Sequence, residues 1–302
     1  MVLVLFLTAV AGATAGTGLP GILRQPHVFF TTSHAQSGVL GATAYGTAAG
    51  EHATTPFACQ MVDFAGGKGV CLKTVKSKVS PYVGFAFDSD LHQLLRFKLQ
   101  GNPLSVRVRG DGLIASYTIG AYVDRDENTG GPGLTRVFFL ELSTGKVLQL
   151  DLFTVLGLPK RPVGIRLFAN VAFDPTHLNR FYAEMSEGTK RYLVRGDWTR
   201  HTVSVVLRNA LVPSVSPDGT RLSYLRIGKH PRLMVLNLAT GRSTAVNETR
   251  EVEDQAAWLD DSTLLYPVEA KVGDDLWTAR ADGSGKPRLF LRSATSPSVV
   301  VG

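Results

Sequence analysis

Val215-Ser-Pro-Asp218-Gly219-Thr-Arg-Leu-Ser-Tyr224 decides the fold, because the chain repeats this stretch. Residues 108–117 align with it without gaps, and residues 257–266 repeat it 42 positions further along. A looser copy over 171–182 places its tyrosine 42 positions before Tyr224. Asp and Gly suit a tight turn, since Asp bonds to nearby backbone and Gly accepts positive φ. Each copy therefore predicts a strand, a turn and a second strand that ends in tyrosine.

A second hairpin follows most copies. Residues 136–146 and 232–242 each contain an apolar strand that ends in Thr-Gly and a basic residue, and residues 275–285 carry an Asp-Gly turn instead. Four strands in about 42 residues form the blade of a β-propeller. Helical periodicity is nearly absent, with at most a turn expected over 154–158. The predicted class is all-β.

The blade count comes from the two ends of the chain. Five full units occupy 57–101, 104–150, 167–209, 211–248 and 252–292, and Pro297 lies 84 residues after Pro213, which is two repeats. The C-terminal segment thus resembles the innermost strand of a sixth blade. Residues 27–31 and 38–45 resemble two strands of a blade that has no innermost strand before them. Pairing these ends gives a six-bladed β-propeller without exposed strand edges. The alternative is five blades with two unpaired flaps.

The repeats resemble those of the TolB-like propellers, in which xSPDGxxLxY is followed by dLWxxxxDGxG; residues 216–224 and 275–285 match these two patterns. The stretches 57–72, 211–221 and 253–264 are also similar to the actinobacterial TolB-like translocation proteins. The resemblance implies a six-bladed, extracytoplasmic propeller and transfers no catalytic residue. It does not extend to the α/β domain that precedes the propeller in TolB, for which the sequence shows no counterpart.

The N-terminal segment 1–24 predicts export. Residues 2–10 are apolar apart from Thr8, a small-residue stretch follows, and no charge precedes Arg24. This pattern is typical of a secretory signal, and an uncleaved membrane anchor is the alternative. The propeller is expected over 25–302. Cys59 and Cys71 flank a Gly-rich turn, and a hairpin centred near Ala65 would bring them together as a disulfide; two buried free thiols are the alternative.

No catalytic motif accompanies the repeats. The sequence contains no G-x-S-x-G, no phosphate-binding loop and no H-E-x-x-H. Asp124, Asp126 and Glu127 form the densest acidic cluster and are weak candidates for calcium, but the spacing differs from that of an EF-hand and a solvated loop is favoured. Four repeat aspartates could suggest a ring of carboxylates, yet their positions assign each to its own turn: Asp111, Asp218, Asp260 and Asp282.

These observations predict an exported, monomeric, non-catalytic scaffold that binds a protein or peptide at the cell envelope. The net charge of +7 comes from scattered basic residues, which disfavours nucleic acid. No cofactor is predicted. The alternative function is an enzyme, or a sugar- or metal-binding propeller, with its site at a mouth of the central channel. Two insertions, 121–135 and 153–166, interrupt the repeat and are candidate binding loops.

Overall fold

A computed structural model describes residues 18–33, 38–45, 52–77, 81–121, 134–158, 165–252 and 254–301. Its strands form six sheets, one per blade of the predicted propeller. The N-terminal elements in chain order are α1 (Leu19–Leu23), β1 (His27–Thr32), β2 (Val39–Ala44) and β3 (Ala53–Ala58). Blade one then contains β4 (Met61–Ala65), β5 (Lys68–Thr74), β6 (Tyr82–Asp88) and β7 (Gln93–Lys98).

Blades two to five follow in chain order. Blade two consists of β8 (Asn102–Val108), β9 (Ile114–Ala121), β10 (Leu134–Glu141) and β11 (Val147–Gln149). A 3₁₀ turn (Leu150–Leu152) and β12 (Thr154–Leu156) precede the other strands of blade three, β13 (Arg166–Phe173), β14 (Arg180–Glu187), β15 (Lys190–Asp197) and β16 (Thr202–Arg208). Blade four consists of β17 (Ala210–Val215), β18 (Arg221–Arg226), β19 (Arg232–Asn237) and β20 (Ser243–Ala245). Blade five consists of β21 (Ala257–Asp260), β22 (Thr263–Glu269), β23 (Asp274–Arg280) and β24 (Arg288–Leu291).

The last strand, β25 (Ala294–Val300), closes the ring as predicted. It is the innermost strand of a sheet with the order β25-β1-β2-β3. β25 and β1 run antiparallel, with His27 opposite Val300 and Thr32 opposite Ala294. The sixth blade therefore combines one C-terminal strand with three N-terminal strands. This pairing confirms the closed six-bladed propeller.

Apolar faces of neighbouring blades pack against each other and form the core. The four repeat tyrosines end up buried in it, with relative exposures of 6%, 2%, 5% and 0% for Tyr117, Tyr182, Tyr224 and Tyr266. Between blades two and three, the rings of Phe139 and Trp198 pack edge to face, with 4.6 Å between the ring centroids. The repeat thus places large aromatic side chains in contacts between neighbouring blades, where burial of apolar area stabilises the ring.

Three boundaries differ from the sequence prediction. The first unit was expected to begin at residue 57, but β3 is the outermost strand of blade six and blade one begins with β4. The segment 154–158, expected to form at most a turn, contains β12, which pairs in parallel with β16. Residues Leu19–Leu23, assigned to the export segment, form α1 and bury Ile22 beside β2 and β3. Sequence periodicity could not detect these short elements, because tertiary packing stabilises them.

The disulfide is present, but in a different setting from the one predicted. Cys59 and Cys71 are bonded, with a Cα–Cα distance of 5.6 Å. The hairpin is centred on Gly66 and Gly67, both with positive φ, so Cys71 lies opposite Val62 and not opposite Cys59. Glycine allows two successive positive φ angles in the turn, which moves the expected centre away from Ala65. Cys59 lies between β3 and β4, so the disulfide ties the link between blades six and one.

Candidate functional site

The four repeat aspartates stabilise turns. Each accepts a backbone N–H bond from the residue two positions ahead, through one carboxylate oxygen, at distances between 2.6 and 3.0 Å. This bond is the Asx turn that the sequence predicted. Burial raises the pKa of these carboxyl groups, but side-chain hydrogen bonds together with this backbone bond outweigh it and lower the pKa of all four. The side chains involved are Asp111, Asp218, Asp260 and Asp282.

A cavity of about 210 Å³ lies on the propeller axis. It reaches the first turns of three blades at Gly110, Pro175 and Pro217, so it opens toward the face that carries the aspartate turns. Every innermost strand contributes to the lining, which includes Asp63, Arg107, Ala172, Ser214, Ala256 and Ser298. Four of these residues are small, which leaves room in the channel for the two that are charged.

Asp63 is held rigidly at the wall of this cavity. Its Oδ2 atom accepts a 2.7 Å bond from the backbone N–H of Val108, and its Oδ1 atom accepts a 2.9 Å bond from the Ser298 hydroxyl. Burial raises the pKa of the Asp63 carboxyl, although the positive charge of Arg107 and these hydrogen bonds act in the opposite direction. The carboxyl is thus fixed by donors from blades two and six.

Arg107 brings a positive charge to the same cavity. Its Nη1 atom donates a 2.8 Å bond to the Val106 carbonyl. Within the described part of the chain, no carboxylate lies within 4 Å of its guanidinium group. Burial raises the pKa of Asp254 in blade five, and the charge of Arg107 opposes that shift. Blades two and five face each other across the six-bladed ring. Arg107 therefore lies between the carboxyl groups of Asp63 and Asp254, and its guanidinium group keeps N–H donors that no described residue uses.

Side chains from blade five close the channel beside this cavity. Gln255 is fully buried and donates through Nε2 to the carbonyls of Val171 at 3.1 Å and Pro213 at 2.7 Å. The indole N–H of Trp258 donates to the Ser214 carbonyl at 3.1 Å. Three inner strands are therefore cross-linked by side chains, which gives the cavity a firm wall on that side.

Known proteins resemble this chain in fold and, over a short segment, in sequence. No protein-family model matches the sequence. A TolB homologue from Chlorobaculum tepidum is 39% identical over 83 residues, which cover 26% of this chain and 19% of that protein. The crystal structure of TolB from Acinetobacter baumannii superposes with a TM-score of 0.67 at 13% identity, covering 92% of this chain and 67% of that one. The chain is a β-propeller whose fold is similar to that of TolB.

A second structure agrees with this assignment. A putative TolB from Agrobacterium tumefaciens has a TM-score of 0.55 at 9% identity, and 88% of each chain is covered. At such low identity the structural likeness concerns the fold alone. The matched segment also spans only about a fifth of the curated TolB homologue. The activity and the partners of this TolB-like propeller are accordingly proposals.

Other sequence candidates do not belong to the described lining of the cavity. Asp124, Asp126 and Glu127 fall outside the described residues, as does most of the insertion 121–135. No group of three His, Cys, Asp or Glu side chains is placed to hold a metal ion in the ranges that the structure describes. His27 is buried, and burial lowers the pKa of its imidazole group. None of the described histidines lines the axial cavity of the TolB-like propeller.

Asp63, Arg107 and Asp254 were not predicted from the sequence as site residues. A signal for Arg107 exists, because it lies four residues before its turn aspartate, where the other copies carry Ser214 and Ala256. A charged residue at a position that is small elsewhere in the repeat marks a departure from the structural pattern. No comparable signal marks Asp63, since blade one lacks the Asp-Gly turn and cannot be aligned by that motif.

Proposed function

We propose that this chain is a non-catalytic binding scaffold of the bacterial cell envelope, and that it takes a carboxylate-bearing peptide segment at the axial cavity. The observation that carries the proposal is the guanidinium group of Arg107, which faces the cavity without an ion-pair partner among the described residues. Arginine forms paired hydrogen bonds with carboxylates and is frequent among residues that dominate binding energy. A C-terminal carboxylate, or an Asp or Glu side chain, fits this chemistry.

The surroundings of Arg107 favour binding over catalysis. One of the two serines at the cavity wall, Ser298, is engaged, since its hydroxyl donates to Asp63 and accepts from the Phe64 N–H. The described lining includes neither histidine nor cysteine, so it offers no Ser–His or Cys–His pair for nucleophilic catalysis. Asp63 and Asp254 add negative charge near Arg107, which would disfavour a simple anion and favour a segment that also carries a donor group.

An extracytoplasmic location belongs to the same proposal. The disulfide between Cys59 and Cys71 is typical of proteins that fold in an oxidising compartment. The apolar run over 2–10 supports export through a signal or anchor segment. No helix in the described ranges is long and apolar enough to cross a bilayer. The similarity to TolB supports a protein as the partner in this proposal.

A peptide experiment tests the proposal. The full chain would be screened against peptides with free or amidated C-termini and with or without acidic side chains, by fluorescence polarisation. We expect carboxylate-dependent binding that weakens at least tenfold in Arg107→Gln. Arg232→Gln is the matched control, because Arg232 is an exposed arginine in β19 and lines none of the described cavity. Equal binding by wild type and Arg107→Gln, or no preference for a carboxylate, would refute the proposed site.

A further inference from the structure

Blade three is the one blade with five strands in the described structure. The additional strand, β12, comes from the insertion that follows blade two and pairs in parallel with the outer strand β16. It extends the sheet outward by one strand. A groove of about 370 Å³ lies over this widened part of the blade. It shares no lining residue with the axial cavity.

Two rows of side chains form the floor of the groove. In one row, cross-strand pairing places Arg195 opposite Ser204, and Ser204 opposite Leu156 of β12. In the next row, Arg180 is opposite Asp197, and Asp197 opposite Thr202. Residues two apart on a strand share a face, so both rows point to the same side of the sheet. The remaining lining residues are His177, Asn179, Gly196 and Arg200.

Hydrogen-bond donors dominate the groove. Three guanidinium groups, two hydroxyls, an amide and an imidazole line it, whereas Asp197 is the one carboxylate in its described lining. The Oδ1 atom of Asp197 already accepts bonds from the Thr199 N–H, the Thr199 hydroxyl and the Arg200 N–H. These bonds lower the pKa of Asp197 and occupy its Oδ1 atom, which leaves Oδ2 as the carboxylate acceptor in the lining. The groove therefore contains more hydrogen-bond donors than acceptors.

The three arginines differ in how far they are neutralised. Arg180 forms a 3.2 Å ion pair with Asp174, which is fully buried beneath the groove. Arg200 is largely exposed and lies 3.8 Å from Asp197. Arg195 is exposed, and its side chain has no ion pair or hydrogen bond with any residue that the structure describes. Arg195 is thus the free positive charge between two partly neutralised ones.

The repeat does not account for Arg195. Asp197 and Asn237 are equivalent, because each begins a turn by accepting backbone bonds from residues two and three positions ahead. Two residues before them lie Arg195 in blade three and Val235 in blade four. Val235 is buried, with 4% exposure, whereas Arg195 is exposed. Compared with blade four, blade three therefore carries an exposed charge in place of a buried apolar side chain, beside its additional strand β12.

We propose that this groove is a second binding site, which takes the phosphate group of a monoester or diester. A phosphate offers several oxygen atoms to a set of donors, and arginine forks bind it through paired hydrogen bonds. Arg195 and Arg200 hold the phosphate oxygens from two sides, and the hydroxyls of Thr202 and Ser204 donate from the floor. The phosphate source is either a soluble ester or a lipid headgroup, since both present the same group.

Titrations with the full chain test this site at low ionic strength, where surface charges are weakly screened. Calorimetry measures binding of inorganic phosphate, glycerophosphoglycerol and acetate. Co-sedimentation measures binding to vesicles of phosphatidylglycerol or phosphatidylcholine. The variants are Arg195→Gln and Arg200→Gln. Arg226→Gln is the matched control, because Arg226 is an exposed arginine at the end of β18 outside the groove. Thermal melting checks that all variants remain folded.

We expect phosphate or phosphodiester affinity to fall at least tenfold in Arg195→Gln and severalfold in Arg200→Gln, with Arg226→Gln within twofold of wild type. Binding to phosphatidylglycerol vesicles alone, with the same ranking of variants, would assign the lipid headgroup as the source. Acetate bound as tightly as phosphate would overturn the phosphate assignment. Equal weakening in all three variants, or none in Arg195→Gln, would overturn the site itself. Neither result concerns Arg107, so the proposal for this groove and the proposal for the axial cavity can be refuted independently.

Discussion

Two serines of β25 test how the ring is closed. The Ser296 hydroxyl accepts a 3.0 Å bond from the Val62 N–H, and the Ser298 hydroxyl accepts a 2.8 Å bond from the Phe64 N–H. These hydroxyls satisfy backbone donors of β4, the inner strand of the adjacent blade. Replacing both serines by alanine keeps β25 paired with β1 and removes only the bonds between blades six and one.

Both donors are buried, since Val62 and Phe64 are 0% and 7% exposed. A buried N–H left without an acceptor costs about 1–3 kcal/mol. The double variant should therefore lose about 2–6 kcal/mol, less if the two sites couple. For a chain of this size, about 2 °C of Tm per kcal/mol gives a fall of about 4–12 °C.

Calorimetry and urea unfolding of the full chain measure this loss. Ser223→Ala is the matched control, because Ser223 is fully buried and its hydroxyl makes only a 3.4 Å bond to the Ser214 carbonyl of the same blade. The control should lose less than about 1 kcal/mol, since no backbone donor depends on it. If the double variant is no less stable than the control, the hydroxyls do not join blades six and one, and the reasoning fails.

Three further perturbations concern the same junction. Deleting residues 295–302 should abolish cooperative unfolding, because β25 is the inner strand of blade six, whereas trimming residues before Leu19 should change Tm little; an unchanged Tm after the C-terminal deletion would disprove closure. Replacing Cys59 and Cys71 together by alanine should lower the free energy of unfolding in urea by about 2–3 kcal/mol, as expected for a short closed loop. The fully reduced wild type should lose the same amount, which serves as the internal check. Burial lowers the pKa of His27 below its usual 6.5. The contribution of neutral His27 to the free energy of unfolding is therefore complete above pH 6.5 and is lost as the pH falls below that value. His27→Gln should therefore weaken the decline in stability between pH 7.5 and 5.5, and an identical pH profile in both proteins would contradict this.

The repeat allowed the fold to be predicted in unusual detail. The Asp-Gly turns act on their own neighbours, as the bonds of Asp218 and Asp260 to residues two positions ahead show. Such local chemistry is readable in the sequence because it needs no distant partner. The constant spacing then placed Pro297 two repeats after Pro213, and the need to avoid open strand edges led to the paired ends. Fold class, blade number and closure follow from these two facts.

Elements without the repeat were misjudged for a physical reason. β12 has only three residues and is a strand because β16 offers an edge to pair with. β3 looked like the start of blade one, and its place in blade six follows from its pairing with β2. The disulfide was anticipated from spacing, yet the turn at Gly66 and Gly67 changed what it connects. In each case a tertiary partner decided the outcome.

The sequence by itself therefore determined the propeller, its six blades and the pairing of its ends, since turn chemistry and a regular repeat are local properties. Only the tertiary structure decided which charges meet. Asp63 contacts Ser298 across 235 residues of sequence, and Arg107 acts on Asp254 from the opposite side of the ring. The groove over Arg195 likewise exists because an inserted strand widens one blade. Binding sites on a propeller arise where blades and insertions converge, and that convergence is a property of the closed ring.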